Sequence, residues 1–315
     1  MHINRRTVMT GLAASTAVPM APAYAATRPL DFLVVGDWGR DGAEHQRDVA
    51  IQMGKAAQQR QARFVASVGD NFYDDGVDSI TDPQWASSFE KVYTDQSLFV
   101  PWFVTLGNHD YRGNPQAQID YAKVSKRWRL PARYYAVEGA SLGLPEADFF
   151  FIDTSPLVNK YRANVTSRIA QNVVQQDVRA QLAWLDGALG KSRAAWKIVM
   201  GHHTIRSGGS GHGDTPEMVA MIKPILERHG VQAYVAGHDH DLQHIVDNGV
   251  DYILCGAGSE VRPVAQVAGT RFALARSGFG AFSLSRDVLA VEFRDYLGKT
   301  VYQASIARVL RAKAA

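Results

Sequence analysis

An α/β fold is predicted for this 315-residue chain by two features of its sequence. Short apolar runs of the kind that form buried strands recur as far as residue 242. Helical stretches separate several of them and are predicted for residues 43–60, 174–190 and 216–229, the last with Pro216 in its first turn. Strands that alternate with helices in this way are typical of α/β proteins.

The pattern changes after residue 242, where short strands and turns follow one another. Asn248-Gly249 lies between two apolar runs and predicts a hairpin turn. Residues 280–307 alternate between apolar and polar side chains and predict further sheet. Because the sequence shows no linker, internal repeat or low-complexity tract, we expect residues 26–315 to form a single catalytic domain.

The composition indicates a globular protein and gives little support for binding to nucleic acid or membranes. Hydrophobic residues make up 46% of the chain, and the formal net charge is only +3. Cys255 is the only cysteine, so an intramolecular disulfide is excluded. We expect a monomer with no nucleic-acid partner and no stable membrane association.

Residues 1–25 resemble a bacterial twin-arginine export signal. Arg5 and Arg6 precede a moderately apolar run, and residues 23–25 (AYA) have the form of a cleavage site. The run is too short, and too rich in Ala, Gly and Thr, to span a bilayer. The prediction is a cleaved signal read by the export machinery and a periplasmic or secreted mature protein. A basic tail is the alternative.

Five of the apolar runs end in the same way, with a glycine followed by a polar side chain that can bind a metal ion. Ligands of open α/β sheets bind beyond the carboxyl ends of the strands, so these side chains are expected to share one crevice. The runs end at Gly36-Asp37, Gly69-Asp70, Gly107-Asn108-His109, Gly201-His202 and Gly237-His238.

The donor types at these positions predict a pair of metal ions. Carboxylate and imidazole suit zinc, iron or manganese, and the absence of thiolates argues against a structural zinc site. The donors are too many for one ion, whereas two ions can stabilise the attacking and leaving oxygens of an in-line displacement. Each of these residues taken alone could be a turn former, a helix cap or a core residue. Five such motifs in order, all at predicted strand ends, favour metal binding instead. The candidates are Asp37, Asp70, Tyr73, Asn108, His109, His202, His203, His238 and His240.

The ordered motifs resemble those of metallophosphoesterases of the purple acid phosphatase type, in particular the small, mammalian-type, tartrate-resistant members. Tyr73, three residues after the second aspartate, makes the resemblance specific, and it extends from about residue 30 to 300. It implies a four-layer α/β/β/α sandwich of two mixed sheets with the site at the carboxyl ends of the strands. The motifs read GDWG (36–39), GDNFY (69–73), GNHD (107–110), VMGHH (199–203) and GHDH (237–240).

The resemblance implies two metal ions with different ligands. Tyr73 would bind the first ion as a phenolate, which indicates Fe(III) and a purple colour. The second ion would be Fe(II), Zn(II) or Mn(II), among which the sequence does not choose. The first ion would be held by Asp37, Asp70, Tyr73 and His240, and the second by Asp70, Asn108, His202 and His238, so that Asp70 bridges the two.

The resemblance also implies an acid phosphatase that hydrolyses phosphate monoesters by attack of a metal-bound hydroxide. His109 is the first candidate for protonating the leaving group. His212, in a glycine-rich loop at 206–215, is the second, although it lies one residue further from His202 than in the mammalian-type pattern. His203 replaces a tyrosine of that pattern and would either contact phosphate or pack behind the ligands. The predicted substrate-binding residues are Asn108, His109, His203 and His212.

Two other functions stay open at this point. The same metal pair serves phosphodiesterases and nucleotide pyrophosphatases, and an iron centre can serve redox chemistry instead of hydrolysis. Tyr73 favours the phosphatase or the redox protein over an ordinary phosphodiesterase. Because no extra domain is evident to hold a long substrate, small phosphorylated molecules are the expected substrates.

Overall fold

The computed structural model describes residues 28–308, which form two mixed sheets of seven strands each. The segment predicted as an export signal lies outside the described residues. The strands are β1 (Leu30–Val35), β2 (Phe64–Val68), β3 (Trp102–Thr105), β4 (Trp128–Arg129), β5 (Tyr135–Glu138), β6 (Ala147–Phe151), β7 (Trp196–Met200), β8 (Ala233–Ala236), β9 (Leu242–Asp247), β10 (Val250–Cys255), β11 (Thr270–Leu274), β12 (Gly278–Leu284), β13 (Val288–Asp295) and β14 (Thr300–Ala307).

Both sheets combine parallel and antiparallel pairs. The first has the order β14-β13-β12-β1-β2-β3-β4, in which β1 to β4 run parallel. The second has the order β11-β9-β10-β8-β7-β6-β5, in which β10, β8, β7 and β6 run parallel. The predicted hairpin joins β9 to β10, and its two turn residues, Asn248 and Gly249, have φ values of 48° and 77°.

Six α-helices lie among the described residues. Four of them fall within the three predicted stretches, with corrections, and the helices Pro115–Tyr121 and Arg168–Val173 were not predicted. The helix predicted at 43–60 begins at Gln46. The helix predicted at 174–190 starts later, because the side chain of Asp177 accepts a hydrogen bond from the Ala180 N–H and caps the helix there. The stretch 216–229 forms two helices, since Pro224 has no N–H to continue the first one. The helices are α1 (Gln46–Arg60), α2 (Pro115–Tyr121), α3 (Arg168–Val173), α4 (Val178–Lys191), α5 (Pro216–Met221) and α6 (Lys223–His229).

None of these helices combines the length and the apolar character that a membrane span requires.

The two sheets pack face to face around a layer of aromatic side chains. Phe32 of β1 stacks on Phe64 of β2 with ring centroids 4.6 Å apart, and it meets the edge of Phe149 from the other sheet at 5.6 Å. Phe32 is fully buried, so truncating it to alanine would cost about 3–5 kcal/mol.

Helices cover the outer faces of both sheets. Helix α1 packs against β1, β12 and β13 with Val49 and Met53 buried. Leu185 of α4 and Leu226 of α6 join the apolar cluster on the outer face of the second sheet, together with Tyr234 of β8. The layers therefore follow the order α/β/β/α, which confirms the predicted fold.

The parallel strands of both sheets end at the same place in the molecule. In the first sheet, Val35 of β1 pairs with Ser67 of β2, and Val68 of β2 pairs with Thr105 of β3, so three neighbouring strands end together. Strands β7 and β8 end likewise in the second sheet. The loops that follow these strands contact one another across the two sheets.

Asp153, just after β6, connects these loops to helix α4. Its carboxylate accepts a hydrogen bond from the Tyr111 hydroxyl, and its backbone N–H and C=O bond to the Gln181 side chain, each at 2.8 Å. Burial raises the pKa of Asp153 to about 6, although the positive charge of Arg133 opposes this effect.

Replacing Asp153 with asparagine should make stability less dependent on pH. A carboxyl pKa that is raised from 3.8 to about 6 contributes stability below pH 3.8 that is lost as the pH rises to about 6. The free energy of unfolding of Asp153→Asn, relative to the native sequence, should therefore increase between pH 4 and pH 7 by up to about 3 kcal/mol.

Urea unfolding at the two pH values measures this change, with metal content matched between the proteins. Asp287→Asn is the control for removal of a charge, because the Asp287 side chain is 67% exposed. Parallel pH profiles for Asp153→Asn and the native sequence would show that the buried carboxyl does not set the pH dependence.

Candidate metal centre

The phenol of Tyr73 lies at the centre of a buried group of potential metal ligands. Its oxygen is 3.1 Å from Asp37 Oδ1, 3.1 Å from Asp70 Oδ2 and 3.0 Å from His240 Nε2. These residues follow β1, β2 and β8, so both sheets contribute to the group. The structure thus brings together the four side chains predicted to hold the first metal ion.

His202 is the centre of an adjoining group. Its Nε2 atom is 3.3 Å from Asp70 Oδ2, 3.3 Å from Asn108 Oδ1 and 3.1 Å from His238 Nδ1. The other ring nitrogen, Nδ1, lies 3.0 Å from the Val68 carbonyl and donates its proton there, so that Nε2 is the ring atom that faces the group. Asp70 belongs to both groups, as a bridging ligand would.

The backbone at three of these residues has an unusual conformation. Asp37, Asp70 and His238 have φ values of 59°, 48° and 70°, in the left-handed region that costs a residue other than glycine about 1–2 kcal/mol. Such conformations are concentrated at functional sites, where the surrounding structure holds them in place.

Two of the preceding glycines are required for close approach. A β-carbon at Gly69 would lie 2.6 Å from His202 Nδ1, and one at Gly107 would lie 2.2 Å from Asp70 Oδ1. The recurrent glycine in the strand-end motifs therefore makes room for the neighbouring ligand side chain.

The electrostatics of the site fit metal cations. Burial and the negative charge of Asp70 raise the pKa of Asp37 well above its usual range, and burial and the two carboxylates raise the pKa of Tyr73. Burial also opposes the charge on Asp70, but the positive charges of His202 and His109 outweigh it and lower the pKa of Asp70. Asp37 and Tyr73 therefore resist ionisation beside Asp70, and bound cations would stabilise their ionised forms.

The histidines are in the neutral form that binds metals, apart from His202. Burial lowers the pKa of His238 well below its usual value and that of His240 to about 3. His202 is also buried, but the Asp70 carboxylate raises its pKa to about 9. The geometry of the donor atoms indicates two possible metal-binding groups, Asp37 with Asp70 and His202, and His202 with His203 and His238.

His109 lies at the edge of the first group. Its backbone N–H donates to Asp70 Oδ1 at 2.7 Å, and its Nδ1 atom lies 2.5 Å from the Asp74 carbonyl oxygen. The Nδ1 proton is therefore committed to that carbonyl, and Nε2 is the ring atom 4.0 Å from Asp70 Oδ2. The side chain is 15% exposed, so the ring can meet a substrate from solvent.

The glycine-rich loop brings His212 into the site. The Asp239 carboxylate accepts hydrogen bonds from the Ser207 hydroxyl and from the backbone N–H groups of His212 and Gly213, the latter two at 3.0 Å. The His212 ring stacks on His238 with centroids 3.9 Å apart. Asp239 lies in sequence between the predicted ligands His238 and His240, but its carboxylate accepts hydrogen bonds from the glycine-rich loop.

His203 is fully buried, and both of its ring nitrogens have partners. Nδ1 is 2.7 Å from Thr154 Oγ1, and Nε2 is 2.7 Å from the Tyr161 hydroxyl. The predicted contact of His203 with phosphate stays a prediction. In the structure, the hydrogen-bond partner of its Nε2 atom is the Tyr161 hydroxyl.

Four neighbours of the site were missed by reasoning from sequence. Asp239 lies within the GHDH motif, so its place between two candidate ligands was an available signal. Arg40, whose guanidinium lies 4.0 Å from the centre of the Tyr73 ring, has no distinctive signal in the sequence. The same holds for Thr154 and Tyr161, which approach the site only through the fold.

A model of the calcineurin-like phosphoesterase family matches residues 30–242. The chain belongs to that family, and the family defines the class of protein as a metal-dependent phosphoesterase.

Within the family, the chain belongs to the purple acid phosphatases. It is 44% identical to purple acid phosphatase 7 of Arabidopsis thaliana over 73% of this chain and 70% of that protein. It is 35% identical to tartrate-resistant acid phosphatase type 5 of Oryctolagus cuniculus over 93% of this chain and 94% of that protein. These relatives show a dinuclear-metal acid phosphatase and confirm the predicted family and enzyme class.

A solved structure shares the fold over nearly its whole length. It is titled "GAP50 the anchor in the inner membrane complex of Plasmodium", and it covers 91% of this chain and 90% of its own. The TM-score is 0.75 at 27% sequence identity.

The predicted location is contradicted. A bacterial twin-arginine route to the periplasm does not agree with relatives that are plant and mammalian proteins. The paired arginines at residues 5 and 6 are therefore not sufficient to assign that route.

Displacing the glycine-rich loop from Asp239 should reduce phosphatase activity. A β-carbon at Gly209 would lie 2.2 Å from Asp239 Cγ, so Gly209→Ala pushes the loop away and moves His212 off His238. We expect kcat/KM to fall by about 10- to 100-fold, as for a misplaced catalytic group, with faster hydrogen exchange at residues 207–213.

Gly211→Ala is the matched control. A β-carbon there would meet its nearest atoms, in Arg262 and Asp239, at 3.4 Å or more. Metal content is measured for both variants, so that loss of metal is recognised. Equal activity of Gly209→Ala and Gly211→Ala would contradict the role of the loop anchor.

Proposed function

We propose that this phosphatase acts on monoesters of small phosphorylated molecules and uses Fe(III) together with Fe(II), Zn(II) or Mn(II). The observation that carries the proposal is the position of the Tyr73 oxygen, about 3 Å from two carboxylates and one imidazole. A buried phenol among carboxylates is stabilised as a phenolate only by a strongly charged cation, and Fe(III) is such a cation.

The proposed ligands divide into two sets that share Asp70. When bound, two ions would supply Lewis acidity toward phosphate oxygens and lower the pKa of bound water. Asp37, Tyr73 and His240 complete one set, and Asn108, His202 and His238 complete the other. The two histidines of the second set would bind through His202 Nε2 and His238 Nδ1, which lie 3.1 Å apart.

The proton for the leaving group is proposed to come from His109. Its Nδ1 proton is committed to the Asp74 carbonyl, so the proton that can be transferred is the one on Nε2. Burial lowers the pKa of His109 below its ordinary value, which makes the protonated ring a stronger acid. His212, whose ring stacks on that of His238, is proposed to contact the substrate as well.

Tyr73→Phe should abolish the colour of the native protein. An Fe(III)–phenolate pair gives a broad absorption band in the visible range, and phenylalanine removes the phenolate donor. The measurement is the visible spectrum of both proteins together with metal analysis. Tyr134→Phe serves as the control, because the Tyr134 ring packs against Trp184, with centroids 5.0 Å apart, away from the ligands. A band that survives in Tyr73→Phe, or a native protein without iron, would overturn the proposed metal assignment.

His109→Gln should slow the hydrolysis of esters in proportion to how much their leaving group needs a proton. For an alkyl phosphate we expect kcat to fall by about 100-fold or more, the usual contribution of a general acid. The fall should be much smaller for p-nitrophenyl phosphate, whose leaving group departs as a stable anion. Equal losses for both substrates would assign His109 a role other than proton donation.

A bis-aryl phosphate tests the substrate class in the same assay. We expect the native protein to prefer the monoester, and a preference for the diester would replace the proposal with a phosphodiesterase.

A further inference from the structure

The hydroxyl of Tyr161 has one hydrogen-bond partner among the described residues, the ring of His203. Its oxygen lies 2.7 Å from His203 Nε2, and no other hydrogen-bond partner of this oxygen lies among residues 28–308. The direction of this one hydrogen bond therefore decides whether the Tyr161 proton is available to another molecule.

The contacts of Thr154 settle that direction. Thr154 Oγ1 accepts the backbone N–H of His203 at 3.0 Å, and it lies 2.7 Å from His203 Nδ1. Within the described chain, Nδ1 is the only acceptor near enough to take the threonine proton. A neutral imidazole has one acceptor nitrogen, and Thr154 is fully buried, whereas Tyr161 is partly exposed and can donate its proton to another molecule. His203 therefore carries its proton on Nε2 and donates it to the Tyr161 oxygen. The Tyr161 O–H is left free to donate.

Tyr161 is close enough to the metal centre for this donor to matter. The ring of His203, which holds the tyrosine, lies 4.2 Å from the ring of His238. Burial raises the pKa of Tyr161, and the negative charge of Asp70 raises it further, so the phenol keeps its proton beside the site.

Lys160 supplies a positive charge at the same edge. Its ammonium group lies 5.2 Å from the centre of the Tyr161 ring, and no carboxylate of the described chain pairs with it. After burial, the Lys160 charge is among the causes that lower the pKa of His203, His212 and His238. Lys160 itself is exposed, so its ammonium group is accessible to a molecule that enters from solvent.

We propose that Tyr161 and Lys160 form a substrate-binding subsite. The Tyr161 hydroxyl donates a hydrogen bond to an oxygen of the reacting phosphate, and Lys160 binds a second anionic group of the same molecule. The preferred substrates are then monoesters that carry a further phosphate or carboxylate group. This inference rests on the proposed phosphomonoesterase function.

Lys160 is tested with two substrates that differ by one charge, phenyl phosphate and 4-carboxyphenyl phosphate. The native protein should have a higher kcat/KM for the carboxylated ester. Lys160→Gln should lower the ratio of the two kcat/KM values by about fivefold, as expected for one partly screened ion pair. Lys91→Gln, at another exposed lysine, is the matched control. An unchanged ratio in Lys160→Gln would refute the anionic subsite.

Tyr161 is tested by binding as well as by activity. Tyr161→Phe should weaken the affinity for inorganic phosphate, measured by calorimetry on the metal-loaded protein, by about 10- to 100-fold, the usual range for a hydrogen bond to a charged group. Its KM for phenyl phosphate should rise by a similar factor. Tyr134→Phe controls for the loss of a phenol, and metal content and Tm are recorded for each variant.

Unchanged phosphate affinity in Tyr161→Phe would show that the tyrosine only supports His203, and would overturn the proposal. Failure of the native protein to hydrolyse phenyl phosphate would refute the proposed function instead. The phosphate titration would still decide whether Tyr161 binds the anion.

Discussion

The burial of a phenol about 3 Å from each of two carboxylates is the constraint on which the rest of this structure depends. Negative groups this close repel one another, and burial strengthens the repulsion because the interior screens charge poorly. Positive charge must therefore be supplied at the same point. His202 supplies part of it from the second sheet, and a pair of cations would supply the rest. This explains why the ligands come from both sheets instead of one.

Holding these groups in place costs conformational free energy at several backbone positions. Asp37 and Asp70 adopt left-handed backbone conformations, and Gly69 and Gly107 give up a side chain so that neighbouring ligands fit. The core compensates for this, since buried aromatic rings such as Phe32 fill the space between the sheets. A rigid, densely packed sandwich can keep strained residues at its rim, where a smaller core would relax them.

The fold and the positions of the candidate ligands were accessible from sequence because each is recorded locally. A run of apolar residues followed by a glycine and a donor marks a strand and the side chain at its end. The break at Pro224 and the late start of helix α4 depend on single residues, and periodicity alone does not reveal them. Tyr161 reaches His203 across 42 positions of the chain, and no local pattern reports such a contact. Reasoning from sequence therefore identifies the candidate metal ligands better than the residues that the fold packs around them.

The fold alone does not decide the activity. A structure with a TM-score of 0.75 to this chain is titled as an anchor in the inner membrane complex of Plasmodium, so the same sandwich is found in a protein described by another role. The enzyme class of this chain comes from its purple acid phosphatase relatives, and its candidate donors lie together with their ring nitrogens oriented by their surroundings. The hydrogen bond from His202 Nδ1 to the Val68 carbonyl orients Nε2 toward Asp70, and that of His109 to the Asp74 carbonyl leaves its own Nε2 free. Two backbone carbonyls thus fix which ring nitrogen each of these histidines presents to the site.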